Sequence, residues 1–206
     1  MNQIALPLAW PADAQGEFLI TESNMRAVRM LEHWATWPVR TALLAGPPRS
    51  GRSLLGRIFA ARSGGTVIDD ADAEEELALF HAWNRAQDER RPLLLIAAAL
   101  PPAWAITLPD LRSRLAASPG AEIGAPEDTL VAALYERGFA GRNLDARPDL
   151  VNWLTARTER SHAAVMETID RLDRAALAGR RRLTIPLARA TLEGDAAFTK
   201  RSDTRP

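Results

Sequence analysis

Hydrophobic and polar positions divide the chain into two stretches of different rhythm. Up to about residue 124, short apolar runs alternate with segments of helical period; beyond it only the helical period remains. Thr41–Ala45, Thr66-Val67-Ile68 running into Asp69-Asp70, and Leu93–Ala99 carry almost no polar position before their ends. That is the signature of strands buried on both faces of a parallel sheet. Ala121–Gly124 is expected to add a short last strand. Helices are expected from an N-cap at Ser23 through Ala27, Met30, Leu31 and Trp34, over 52–62, over 73–90, and from Leu108 to Leu115. In the third of these, Leu77, Phe80, His81 and Asn84 share one face by i, i+3, i+4 spacing. After Pro126, helices are expected at 127–139, 148–157, 161–179 and 186–192. Pro148 suits a first turn, and Ser161 and Thr184 are placed to cap. Strands alternating with helices predict an α/β layered core, followed by a small helical domain.

Four segments follow: an extended tail over 1–12, where Pro7 and Pro11 exclude helix; a core over 13–124; helices over 125–195; and a polar, disordered tail over 196–206.

Composition narrows the functional classes. The 206 residues are 47% hydrophobic and 25% charged with zero formal net charge, so whole-chain electrostatics give no pull toward nucleic acid. The absence of cysteine excludes disulfides and thiolate metal sites, and it suits a reducing, cytoplasmic setting. Three histidines without an acidic cluster argue against zinc. No apolar run approaches the ~20 residues of a membrane span, and the N-terminus lacks the basic segment of a signal peptide.

The chemistry gathers around residues 46–54. Gly46, Pro47, Pro48, Arg49, Ser50, Gly51, Arg52, Ser53 and Leu54 follow an apolar strand and open a helix. This is the context in which backbone N–H groups and a helix N-terminus cradle phosphate, here ADP or ATP. Ser53 and Asp69 are candidate Mg²⁺ ligands, and Asp70 is a candidate for polarising an attacking water. Arg52 stands where such loops place lysine. It keeps the charge but presents a planar fork in place of a compact ammonium. The third strand ends in Ala97-Ala98-Ala99, with no polar side chain to sense a terminal phosphate. Both features predict weak or no intrinsic ATPase. The plainer readings are a Gly/Pro turn for the loop, a solvated acidic turn for Asp69-Asp70, and a solvated helix face for Arg112 and Arg114.

Taken together these residues resemble the AAA+ family of the replication initiator DnaA, and within it the shorter Hda-type regulatory inactivators. The resemblance runs through Phe18–Asn24, the loop ending Gly-Arg-Ser, Val67–Asp70, Leu108–Leu115, Leu172–Ala175 and Leu183–Pro186. It implies a P-loop αβα core with a helical lid and a role in restraining replication initiation. It also implies Arg114 as an arginine finger offered in trans to ATP held by DnaA, so that hydrolysis is promoted in a partner. Gln3, Leu6, Pro7 and Leu8 are similar to the motif by which such proteins dock on the polymerase sliding clamp. Only 13 residues, 54–66, separate Ser53 from Val67, where the family fits a further strand and helix. A four-stranded parallel sheet is therefore expected. The family's lid sensor arginine aligns with Ala163, one turn after Arg160, and the DNA-binding domain of DnaA has no counterpart, so sequence-specific DNA binding is not expected. Self-association into a homo-oligomer stays open. The alternatives are an autonomous oligomeric ATPase acting as a loader or remodeller, and a nucleotide-free adaptor with a decayed site.

Overall fold

A computed structural model describes residues 18–179 and 182–193. The clamp-motif residues Gln3, Leu6, Pro7 and Leu8, and the tail expected over 196–206, lie outside the described residues. The chain divides into two compact units at Gly124 and Ala125.

The first unit is a parallel sheet of four strands: β1 (Thr41–Ala45), β2 (Thr66–Ile68), β3 (Leu93–Ala97) and β4 (Gly120–Glu122). Their order is β2-β3-β1-β4, with Leu43 opposite both Leu95 and Gly120. The expected fourfold parallel sheet is present. Alternation along each strand builds two cores. Leu44, Leu94 and Ile96 point to one face, covered by α1 (Glu22–Glu32) and α2 (Arg52–Ser63) through Val28, Leu31, Leu55 and Phe59. Leu43, Leu93 and Leu95 point to the other, covered by α3 (Glu76–Asp88) and α4 (Pro109–Ala116) through Leu79, Trp83, Leu111 and Leu115. The result is a three-layer αβα sandwich. Burying these apolar side chains is worth about 1.5–3 kcal/mol each, which outweighs any local propensity in this unit.

Three local readings are corrected. The first helix is capped by Thr21, not Ser23: the Thr21 N–H is accepted by Asn24 Oδ1 at 3.0 Å, and Asn24 Nδ2 donates to the Leu19 carbonyl at 2.8 Å. Trp34 falls beyond that helix, in a 3₁₀ turn that the indole N–H of Trp37 ties back to the Met30 carbonyl. In α3 the buried face is Leu79, Trp83 and Ala86, while Leu77 is 58% exposed. Both stripes satisfy helical spacing. The sheet selected the one containing tryptophan, which has the larger apolar area to bury.

Because all four strands are parallel, their carboxyl ends share one edge of the sheet. The connection leaving β1 crosses on the α2 face and the one leaving β3 crosses on the α4 face. The crevice between these neighbouring strands is where open α/β sheets hold ligands.

The second unit is helical: α5 (Asp128–Ala140), α6 (Pro148–Thr155), α7 (His162–Gly179) and α8 (Ile185–Leu192). Its core is Val131, Tyr135, Phe139, Leu150, Leu154, Val165, Ile169 and Leu172. Pro148 occupies a first turn, Ser161 Oγ accepts from Ala164 N at 3.0 Å, and Thr184 caps α8 by accepting from Leu187 N. No helix among the described residues is long and apolar enough to cross a membrane.

Candidate functional site

The loop 46–51 leaves the carboxyl end of β1 and delivers the chain into α2. Gly51 stands at the N-cap with φ +88, and no side chain caps the helix. The first-turn N–H groups of Arg52, Ser53 and Leu54 therefore form an uncapped helix start. Inside the loop, Ser50 Oγ is buried without a hydrogen-bond partner. A Cβ placed on Gly46 would lie 2.9 Å from that hydroxyl and 3.1 Å from Ile123 Cβ. One on Gly51 would lie 3.0 Å from the Phe18 ring. The loop is thus a concavity closed to any residue larger than glycine at both ends, with an orphaned hydroxyl within it. An anion such as a nucleotide phosphate fits this chemistry, since it can accept both the helix N–H groups and the hydroxyl.

Arg52 does not lie free at the mouth of the loop. One guanidinium nitrogen, Nη1, donates to the Gly46 carbonyl at 2.9 Å and to the Ala97 carbonyl at 3.0 Å; the other, Nη2, donates to Asp70 Oδ1 at 2.7 Å. Its side chain is 15% exposed. It therefore joins the ends of β1 and β3 to the turn after β2. Sequence reasoning missed this. The apolar triplet Ala97-Ala98-Ala99 shows no donor or acceptor in its side chains, and it was the main-chain carbonyl of Ala97 that mattered.

The acidic pair lies beyond β2, which stops at Ile68. Asp70 adopts a left-handed conformation, φ 51, tolerated by aspartate better than by most residues. Asp69 Oδ1 accepts the Asp70 N–H at 3.1 Å, and Asp72 Oδ2 accepts from Ala98 N at 3.0 Å. So the turn binds itself, Arg52 and the end of β3. The residues expected to serve magnesium, Ser53 and Asp69, are not joined by Asp70 in an open acidic face, because Asp70 already faces a guanidinium. Asp70 is therefore available to a cation only if that guanidinium is displaced.

Comparison with known proteins places the architecture. Residues 127–192 match the family model for the Hda lid domain. Domain III of the Thermotoga maritima replication initiation protein DnaA superposes with a TM-score of 0.74 at 12% identity, covering 89% of this chain and 95% of that one.

Residues 127–192 thus carry an Hda-type lid, and the chain has the fold of DnaA domain III.

AMPPCP-bound DnaA from Aquifex aeolicus gives a TM-score of 0.61 at 15% identity over 79% of this chain and 65% of that one. The Thermotoga maritima RuvB branch migration motor gives 0.62 at 15% over 84% and 69%. An uncharacterized protein of Haemophilus influenzae is 35% identical over 125 residues, 58% of this chain and 52% of that protein. The chain thus spans about half the length of that curated relative.

In the first unit, α4 carries both arginines of the Leu-Pro-Asp-Leu-Arg-Ser-Arg-Leu segment. Arg112 is exposed. Arg114 is half-buried, its guanidinium 4.8 Å from the Phe80 ring centroid and 4.5 Å from that of Trp83. The N-terminal end of α4 is set by Glu76, whose carboxylate accepts from Thr107 N at 2.8 Å and Leu108 N at 2.6 Å. Those two backbone bonds hold the Glu76 carboxyl below its ordinary pKa. In the lid, Arg160 is engaged bidentately by Asp128, Nε to Oδ1 at 3.3 Å and Nη2 to Oδ2 at 3.0 Å.

Proposed function

We propose that this protein holds an adenine nucleotide, ADP or ATP, on residues 46–54 and uses it to set a conformation, with little turnover of its own. In this reading it docks on the polymerase sliding clamp through Gln3, Leu6, Pro7 and Leu8. It then offers Arg114 to ATP bound by DnaA and promotes its hydrolysis, restraining replication initiation. Asp70 would contribute little to water activation, since its charge is spent on Arg52. The observation that supports nucleotide binding is the buried, partnerless Ser50 hydroxyl beneath the uncapped start of α2. The DnaA-like core and the Hda-type lid support the choice of partner. If bound, magnesium would supply charge neutralisation at the phosphates.

The test is reconstitution with purified DnaA, clamp and DNA. Arg114→Ala should abolish stimulation of DnaA hydrolysis while clamp pull-down stays intact. Alanine at Gln3, Leu6 and Leu8 should abolish pull-down; undiminished capture would sink the docking step. Acid extraction of the purified protein should release nucleotide, and an empty extract would favour an adaptor. Turnover by the isolated chain at about 1 per second or faster would favour an autonomous ATPase.

A further inference from the structure

A divalent cation beside a P-loop performs two tasks. It neutralises phosphate charge, and it links the loop to the acidic end of a neighbouring strand. Arg52 performs the second task in this molecule without a metal. Its guanidinium binds the loop at the Gly46 carbonyl, the end of β3 at the Ala97 carbonyl and the post-β2 turn at Asp70. Guanidinium is charged at every accessible pH and presents its donors in a fixed fork, so three acceptors can be held at once. Two of the three are main-chain carbonyls, which a metal-free loop would otherwise have to satisfy with water. The remaining partner, Asp70, is 68% exposed and sits in a left-handed turn that aims it back at the arginine. A hydrated magnesium ion would have to compete for this carboxylate with an arginine that is already desolvated around it.

We propose that nucleotide binding by this chain is independent of divalent cation, with Arg52 as the built-in cross-link between the loop, the end of β3 and Asp70. The inference rests on the nucleotide reading of residues 46–54. It deepens that reading by separating the site from magnesium-dependent P-loops, and by assigning the difference to one residue.

Calorimetric titration of the full chain with ADP, once in excess magnesium chloride and once in excess EDTA, tests it. The wild-type dissociation constants should agree within about threefold, a difference of about 0.7 kcal/mol or less. R52K keeps the charge but replaces the fork with a compact ammonium. It should bind ADP at least about tenfold more tightly with magnesium than with EDTA. A wild-type affinity that falls about tenfold or more in EDTA overturns the proposal. R52K binding equally well in both conditions overturns the assignment to Arg52. Binding in neither condition by the wild type removes the nucleotide reading itself, an outcome distinct from metal dependence.

Discussion

The guanidinium of Arg114 lies 4.5 Å from the ring centroid of Trp83, a residue of the neighbouring helix α3. With Phe80 on the same helix, the two rings give the cation a defined resting place on its own domain. An arginine offered to another protein's ATP must leave these rings or draw the phosphate to them. Half-buried cation–π contacts contribute about 0.5–1 kcal/mol each. Arg114→Ala should therefore lower the stability of the chain by about 1–2 kcal/mol, and Arg114→Lys by less. Equilibrium urea unfolding checks this. Loss of stimulation by Arg114→Lys with near wild-type stability would separate a finger from a structural stack.

Substitution of the loop glycines should separate shape from strain. Gly46→Ala meets Ser50 Oγ and Ile123 Cβ, and Gly51→Ala combines φ +88 with the Phe18 ring. Each should weaken ADP binding by about tenfold or more. Gly64→Ala is the control: φ is +65, but nothing lies within 4 Å. It should cost about 1 kcal/mol of stability and leave ADP affinity unchanged in the same titration.

In the lid, Gly138 stands inside α5, where alanine would normally gain about 1 kcal/mol of helix propensity. Packing reverses that sign. A Cβ there would lie 2.5 Å from Cδ1 of Ile169, a fully buried side chain of α7. Gly138→Ala should destabilise by up to about 2 kcal/mol net, because overpacking costs about 1–3 and helix propensity returns about 1. Ile169→Val removes the offending methyl. The double variant should be more stable than the sum of the single effects by about 0.5 kcal/mol or more in urea unfolding.

His162 opens α7 with its ring buried and Nδ1 without a partner. Burial holds its pKa below the ordinary value, and the Glu127 carboxylate opposes the shift only in part. A lowered folded value means the unfolded chain takes the proton more readily. The contribution is thus complete above about pH 6.5 and is lost as pH falls through the lowered folded value. The urea midpoint should fall between about pH 7 and about pH 5, and His162→Gln should flatten that slope.

Strand and helix placement was legible because burial on both faces forces continuous apolar runs, as in Thr41–Ala45 and in Leu93–Ala99, of which the strand takes Leu93–Ala97. The four-stranded sheet was legible from a short interval of chain. The phosphate loop could be read because glycine and a helix start are local requirements. Which face of α3 turned inward was not legible, since Leu77 and Leu79 obey the same period and only the sheet chose between them.

The sequence by itself determined the layered core, the helical second unit and the position of the loop, all set by periodicity and by residues adjacent in the chain. Tertiary structure alone decided what Arg52 and Arg114 touch. Gly46, Asp70 and Ala97 converge on Arg52 because parallel strands bring their carboxyl ends to one edge. No pattern along the chain records that convergence, because hydrogen bonds to main-chain carbonyls leave no trace in side-chain identity.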